Sequence, residues 1–183
     1  MTLVKTCLAA ALGAAIAASA HAATAQPAFE AFATVCADTR VDYPAITAAA
    51  DTGGWKAAEV RAATMEGVAV SDKISRDKAM GGSTLTLFAW RGLKGTIQIS
   101  ACAVRVSKAR FDDLQGAAQT WLGFAPQDSA VKRATFRFTD AAGAHKPLAK
   151  TDYDDAAAGA GMEILTVSAD GQDTILDLLK IKK

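Results

Sequence analysis

Histidine is the scarcest of the residues that usually carry chemistry. The 183-residue chain has two, and His21 falls in a segment that reads as removable, which leaves His145 as the one imidazole. A serine or cysteine nucleophile needs a positioned base. No Gly-x-Ser-x-Gly elbow accompanies His145, and Ser83 follows Gly81-Gly82 without a closing glycine. A triad is therefore excluded, and His145 in Gly143-Ala144-His145-Lys146-Pro147 reads as a surface-loop residue. Net charge is lacking too, at +1 with 20 basic and 19 acidic side chains. Nothing in that balance would draw nucleic acid or an anionic membrane to the chain. No apolar run reaches the roughly 20 residues of a membrane span. Walker and dinucleotide glycine spacings are missing as well, so Gly92-Leu93-Lys94-Gly95 reads as a hairpin turn rather than a phosphate cradle. No cofactor is implied.

What is present begins with an address. Lys5 precedes an apolar run from Leu8 to Ala18, followed by Ala20-His21-Ala22, a small-residue site of the kind a signal peptidase cuts. Residues 1–22 are expected to be a signal peptide, with an alternative cut after Ala25, and residues 23–183 to form a single domain without a transmembrane anchor. Cys7 lies before the apolar run, where a lipoprotein cysteine would not. Lys5 is the only charge removed. Lys180, Lys182 and Lys183 then form a short basic tail, read as solvated.

Export leaves Cys36 and Cys102 where thiols oxidise. One intramolecular disulfide is possible, and closing so long a loop would stabilise the fold by about 4 kcal/mol. Two buried free thiols, or bonds to another molecule, are the alternatives. With the thiols consumed, no zinc ligand set remains, and no metal is expected. Asp152, Asp154 and Asp155 alternate as calcium ligands do, but the glycine and terminal glutamate of an EF-hand are missing, so they read as solvated turn carboxylates.

Periodicity divides the domain. Phe29, Phe32, Ala33 and Cys36 recur on one helix face. A second helix starts at Pro44 and stops at Gly53-Gly54, just before Trp55. Residues 55–82 lose the pattern and read as irregular. Leu85, Leu87 and Ala89 then alternate with polar residues, and Thr96–Val106 returns as a second strand. Its alternation slips between Ile99 and Cys102, predicting either a bulge near Ser100 or a strand covered on both faces. Phe111, Leu114, Ala118, Trp121 and Leu122 mark a helix with Asp112 and Asp113 in its first turn and Gly123 at its end. Ala134–Phe138 alternates as a strand, residues 140–161 read as a long loop, and Asp170-Gly171 joins a closing hairpin. The expected fold is α+β, an antiparallel sheet of about five strands with helices packed on one face. Cys36 and Cys102 would then tie the first helix to a strand.

The signal peptide, Phe29-x-x-Phe32-x-x-x-Cys36, Gly53-Gly54-Trp55, and a strand cysteine followed by Val104 and Phe111-x-x-Leu114 together resemble small exported proteins and lipoproteins of Gram-negative bacteria. The resemblance implies a periplasmic or secreted domain with the cysteine pair, and no catalytic residue. The functional expectation is a non-enzymatic periplasmic protein that binds a protein or cell-envelope partner. Of the tryptophans, Trp121 lies on a core stripe and Trp55 opens an element, so Trp90, with Arg91 beside it, is the candidate partner surface. The alternatives are a carboxylate-dependent hydrolase of envelope polymers, for which Glu30, Glu59, Glu66 or Glu163 would have to meet an aspartate in space, and an inhibitor of such a hydrolase.

Overall fold

A computed structural model describes residues 25–60, 67–141 and 143–183. The expected signal segment and Glu66 lie outside the described residues. Helix α1 occupies residues 25–32 and widens into a π-helical turn at Ala33–Ala37. Its buried side chains are Ala25, Ala28, Phe29, Phe32, Val35 and Cys36, the three-and-four spacing of one helix face. Helix α2, Tyr43–Thr52, has Asp42 at its N-cap, whose carboxylate accepts a bond from Ala45 N at 3.1 Å, and Pro44 in its first turn. Helix α3, Phe111–Leu122, buries Leu114, Ala118 and Leu122 and ends at Gly123, whose φ of +79° suits a residue without a Cβ.

The strands are β1 (Lys56–Ala57), β2 (Ala69–Met80), β3 (Ser83–Lys94), β4 (Ile97–Val106), β5 (Asp128–Ala130), β6 (Arg133–Ala141), β7 (Ala144–Pro147), β8 (Met162–Asp170) and β9 (Asp173–Lys182). They form one antiparallel sheet in the order β1-β2-β3-β4-β9-β8-β6-β5, with β7 also paired to β6. The α+β class holds, but the sheet has nine strands rather than about five. The excess arises where the sequence lacks alternation. Residues 69–80, read as irregular, make a twelve-residue strand, because Asp72, Lys73, Arg76, Asp77 and Lys78 can line a half-exposed strand near the sheet margin without an apolar period. The expected long loop holds β7 and a short helix α4, Tyr153–Ala158.

β9 closes the sheet. It lies between β4 and β8, so the chain's last strand joins an early block, β1–β4, to a late block, β5–β8. The lysines expected to form a solvated tail are thereby partly taken up by this strand. Its hairpin with β8 turns through Gly171 and Gln172, not Asp170-Gly171, and of these two only Gly171 has positive φ, at +64°.

Helices α1, α2 and α3 contribute to a single core on one face of the sheet, against Leu85, Leu87 and Ala89 of β3, Cys102, Val104 and Val106 of β4, Phe136 and Phe138 of β6, Leu165 and Val167 of β8, and Leu176 and Leu178 of β9. The other face carries a smaller cluster of Trp90, Ile99 and Ala101, flanked by Val70, Phe88 and Leu179. This explains the slip in β4. Its pairing with β3 runs unbroken from Ile97 to Val106, and its apolar residues serve two faces. Cys36 and Cys102 form a disulfide with Cα atoms 5.5 Å apart, tying the π-helical turn to this central strand.

Candidate functional site

The helix-covered face changes character at one end. Cross-strand register there aligns Asp72 of β2, Arg91 of β3, Ser100 of β4, Lys180 of β9 and Glu163 of β8 in one row, directly beyond the apolar row of Ile74, Ala89, Cys102, Leu178 and Leu165. Strand alternation puts both rows on the helix side. Five consecutive strands thus replace apolar residues by polar ones at the same level.

The linker between α1 and α2 reaches this row. Arg40 and Val41 both have φ of +54°, a left-handed conformation that is rare for a β-branched residue. It is held in place by several contacts. Val41 N donates to Cys36 O at 3.1 Å, the Thr39 hydroxyl donates to Cys36 O at 2.9 Å, and Lys180 Nζ donates to Arg40 O at 3.3 Å. Val41 itself is buried in the core. The disulfide anchors the same turn from below. The linker delivers Asp42 and Tyr43 to the rim of a cleft of about 280 Å³, lined also by Ser71, Arg91, Gly92, Leu93, Gln98 and Ser100.

Arg91 and Asp72 form an ion pair at the cleft. Arg91 Nε donates to Asp72 Oδ2 at 2.6 Å, and the Arg91 guanidinium lies 5.6 Å from the centre of the Tyr43 ring. The bond from Arg91 holds the Asp72 carboxyl below the usual carboxylate range, assisted by the Ser71 hydroxyl, and the same bond raises Arg91. Burial, with Asp72 nearby, pushes the Tyr43 phenol up. Farther along the row Lys180 Nζ is 3.4 Å from Glu163 Oε1. Glu163 is 6 % exposed; burial raises its carboxyl, Lys180 opposes that rise, and Asp140 adds to it. The other raised carboxyl among the described residues, Asp177, leaves β9 on the opposite face, where burial pushes it up to about 6 against the pull of Arg133.

Trp90 and Arg91 do not form one surface. As strand neighbours they leave opposite faces, and Trp90 is 6 % exposed beneath its own small cluster, so the expectation of an exposed tryptophan is corrected. Arg91 is in the cleft. Gly92 also departs from expectation. It lies within β3 opposite a bulge at Ser71, where a Cβ would come within 2.6 Å of Ala69 O. A glycine inside an alternating strand is the one sequence signal that marks this close approach.

His145 is on β7 and packs on Trp121 with ring centres 4.2 Å apart. Asp154 bonds to Lys183 Nζ at 2.6 Å, which keeps its carboxyl ionised. Among the described residues, no three of His, Cys, Asp and Glu converge as a metal would require, and no helix is long and apolar enough to cross a membrane. Asp42, Tyr43, Gln98 and Ser100 were not anticipated, because they become neighbours only through the linker and the sheet register. Comparison with known protein families, with curated proteins and with solved structures returns no match to this chain.

Proposed function

We propose that this chain is an exported, non-enzymatic binding protein of the Gram-negative periplasm, and that its partner, a protein or a cell-envelope component, docks in the cleft between α2 and the β3–β4 hairpin. The Arg91–Asp72 pair beneath Tyr43 carries this reading. A general acid or base works best with a pKa near the working pH, whereas Asp72 and Arg91 are each driven away from it by the other. Groups locked in one charge state suit recognition. The rigid setting of the cleft, fixed by the disulfide, the left-handed linker and Lys180, lowers the ordering cost of binding.

The hydrolase reading draws on Glu163 and Asp177, the two carboxyls with raised pKa. They project from opposite faces of the sheet, so they cannot flank one scissile bond. Asp140 is the nearer partner for Glu163, but Glu163 is closed from solvent and held by Lys180. Ala25 is 6 % exposed in the main core. A cut after Ala22 keeps that residue in the mature domain, which favours it over a cut after Ala25. Intact mass of the exported protein reads the site directly, and a mass that retains Lys5 would reject cleavage at either site.

The functional test compares mature wild-type protein with Arg91→Ala on an envelope extract. Partner retention is expected to fall in the variant while its thermal transition stays cooperative. Equal retention by both would remove the cleft as the docking site. Hydrolysis of an envelope polymer that is abolished by Glu163→Gln would overturn the non-enzymatic reading.

A further inference from the structure

We infer that the cleft accepts one ring of a neutral saccharide. This rests on the cleft being a binding site and adds the chemistry of what it binds. The first argument is charge. Asp42 is spent on the α2 cap, Asp72 on Arg91 and the Ser71 hydroxyl, and Lys180 on Glu163 and the Arg40 carbonyl. Arg91 and Asp72 already neutralise each other, so a charged ligand gains little from either, and Asp42, the one lining carboxylate without a cation, would repel an anion.

The second argument is the hydrogen-bonding capacity that remains. Among the described residues, the Arg91 Nη groups, the Gln98 amide, the Ser100 hydroxyl and the Tyr43 hydroxyl make no side-chain hydrogen bond. Three of these four both donate and accept. Sugar hydroxyls have the same dual character, and a ring presents several of them around one edge. A peptide backbone offers fixed, alternating donors and acceptors and is better met by a strand edge than by this side-chain set. The Arg91 Nη pair adds a planar two-point donor for vicinal oxygens.

Size and apolar contact agree with this. The cleft, at about 280 Å³, is slightly smaller than the roughly 300 Å³ at which drug-sized ligand sites begin. That suits a ring and not an extended segment. Leu93, 50 % exposed at the rim, offers an apolar contact for the C–H face of a ring.

Mature protein labelled with nitrogen-15 would be titrated with three neutral trisaccharides, of glucose, of galactose and of N-acetylglucosamine, and with N-acetyl-trialanine amide as the peptide arm. Saturable shifts at the amides of Tyr43, Gln98 and Ser100 with at least one saccharide are expected. Dissociation constants in the roughly millimolar range suit a single subsite. Gln98→Ala and Ser100→Ala should each weaken binding by about tenfold without altering the thermal transition. Affinity should change little between roughly 50 mM and 500 mM salt, because no net charge is engaged. Failure of all three saccharides, saturation by the peptide alone, or shifts confined to the opposite face of the sheet would each overturn the saccharide assignment. If envelope partner retention is still lost in Arg91→Ala under those outcomes, the binding reading survives and only its ligand class fails. If retention is also unchanged, both fall.

Discussion

Glu163 on the face covered by α1, α2 and α3 and Asp177 on the opposite face occupy neighbouring strands, and burial raises both carboxyls. Their surroundings differ. Glu163 has a cation at 3.4 Å and a linker held over the row by that same lysine. Asp177 has only the longer-range field of Arg133, and its register neighbours are Ala103 and Thr166. The covered face therefore uses a charged pair to hold a backbone in place, whereas the opposite face tolerates a carboxylate that weakens the fold. Burial alone does not mark a functional group; what the group holds in position does.

The most damaging way to probe the difference between the faces uses two adjacent leucines of β9. Leu178 lies in the main core, and Leu179 only borders the small cluster. Leu178→Lys places an ammonium among apolar side chains and should cost on the order of 5 kcal/mol, enough to unfold the domain. Leu179→Lys can reach solvent along its stem and should cost about 1 kcal/mol. Similar denaturation midpoints for the two variants would show that the opposite face is as closely covered at Leu179 as the main core is at Leu178.

Next in size is the staple of the covered face. Cys36→Ser should cost about 2–4 kcal/mol, from the freed unfolded chain and a hydroxyl in an apolar site. Thiol titration of the denatured, unreduced wild type should find none of the two cysteines of the mature chain free. Because Cys36 O also receives Val41 N, the left-handed linker should loosen as well, seen as faster amide exchange at Val41.

The charged pair comes third. Lys180→Met leaves Glu163 buried without its cation and should cost about 2 kcal/mol at pH 7. A raised carboxyl pKa means that the native state holds its proton more tightly than the unfolded chain, so the penalty grows as pH rises. The loss should therefore be smaller at pH 4 than at pH 7. A pH-independent loss would show that Lys180 acts through Arg40 O alone.

The smallest effect has the opposite sign. Asp177 titrates near 6 when folded and near the ordinary carboxylate value, about 4, when unfolded. Its contribution to stability falls as pH rises from about 4 to about 6 and stays lost above that. Asp177→Asn should stabilise the protein at pH 7 by about 1–2 kcal/mol, allowing for partial exposure, and flatten that part of the pH profile. Urea unfolding at pH 4 and pH 7 measures both.

Elements with a strong apolar period were legible in the sequence. The α3 stripe from Phe111 to Leu122, the β3 alternation at Leu85, Leu87 and Ala89, and the Cys36–Cys102 pairing all rest on spacing or composition that survives without tertiary context. Residues 69–80 were not legible, since a half-exposed strand rich in lysine, arginine and aspartate has no apolar alternation to read. The cleft was represented by Arg91 alone. Asp42 and Gln98 lie far apart in the chain and carry no motif, and Trp90 was misplaced because an aromatic beside an arginine looks exposed until a second face is known to bury it.

By itself, then, the sequence determined the α+β class, the helix that carries Cys36, the oxidised pair and the scarcity of catalytic side chains, because each follows from local periodicity or from residue counts. Tertiary structure decided the rest. The insertion of β9 between β4 and β8 set Lys180 beside Ser100 and Glu163, and the left-handed linker carried Asp42 and Tyr43 over that row. Both are consequences of strand order and long-range register, which depend on how distant apolar faces pack together and leave no trace in any single segment.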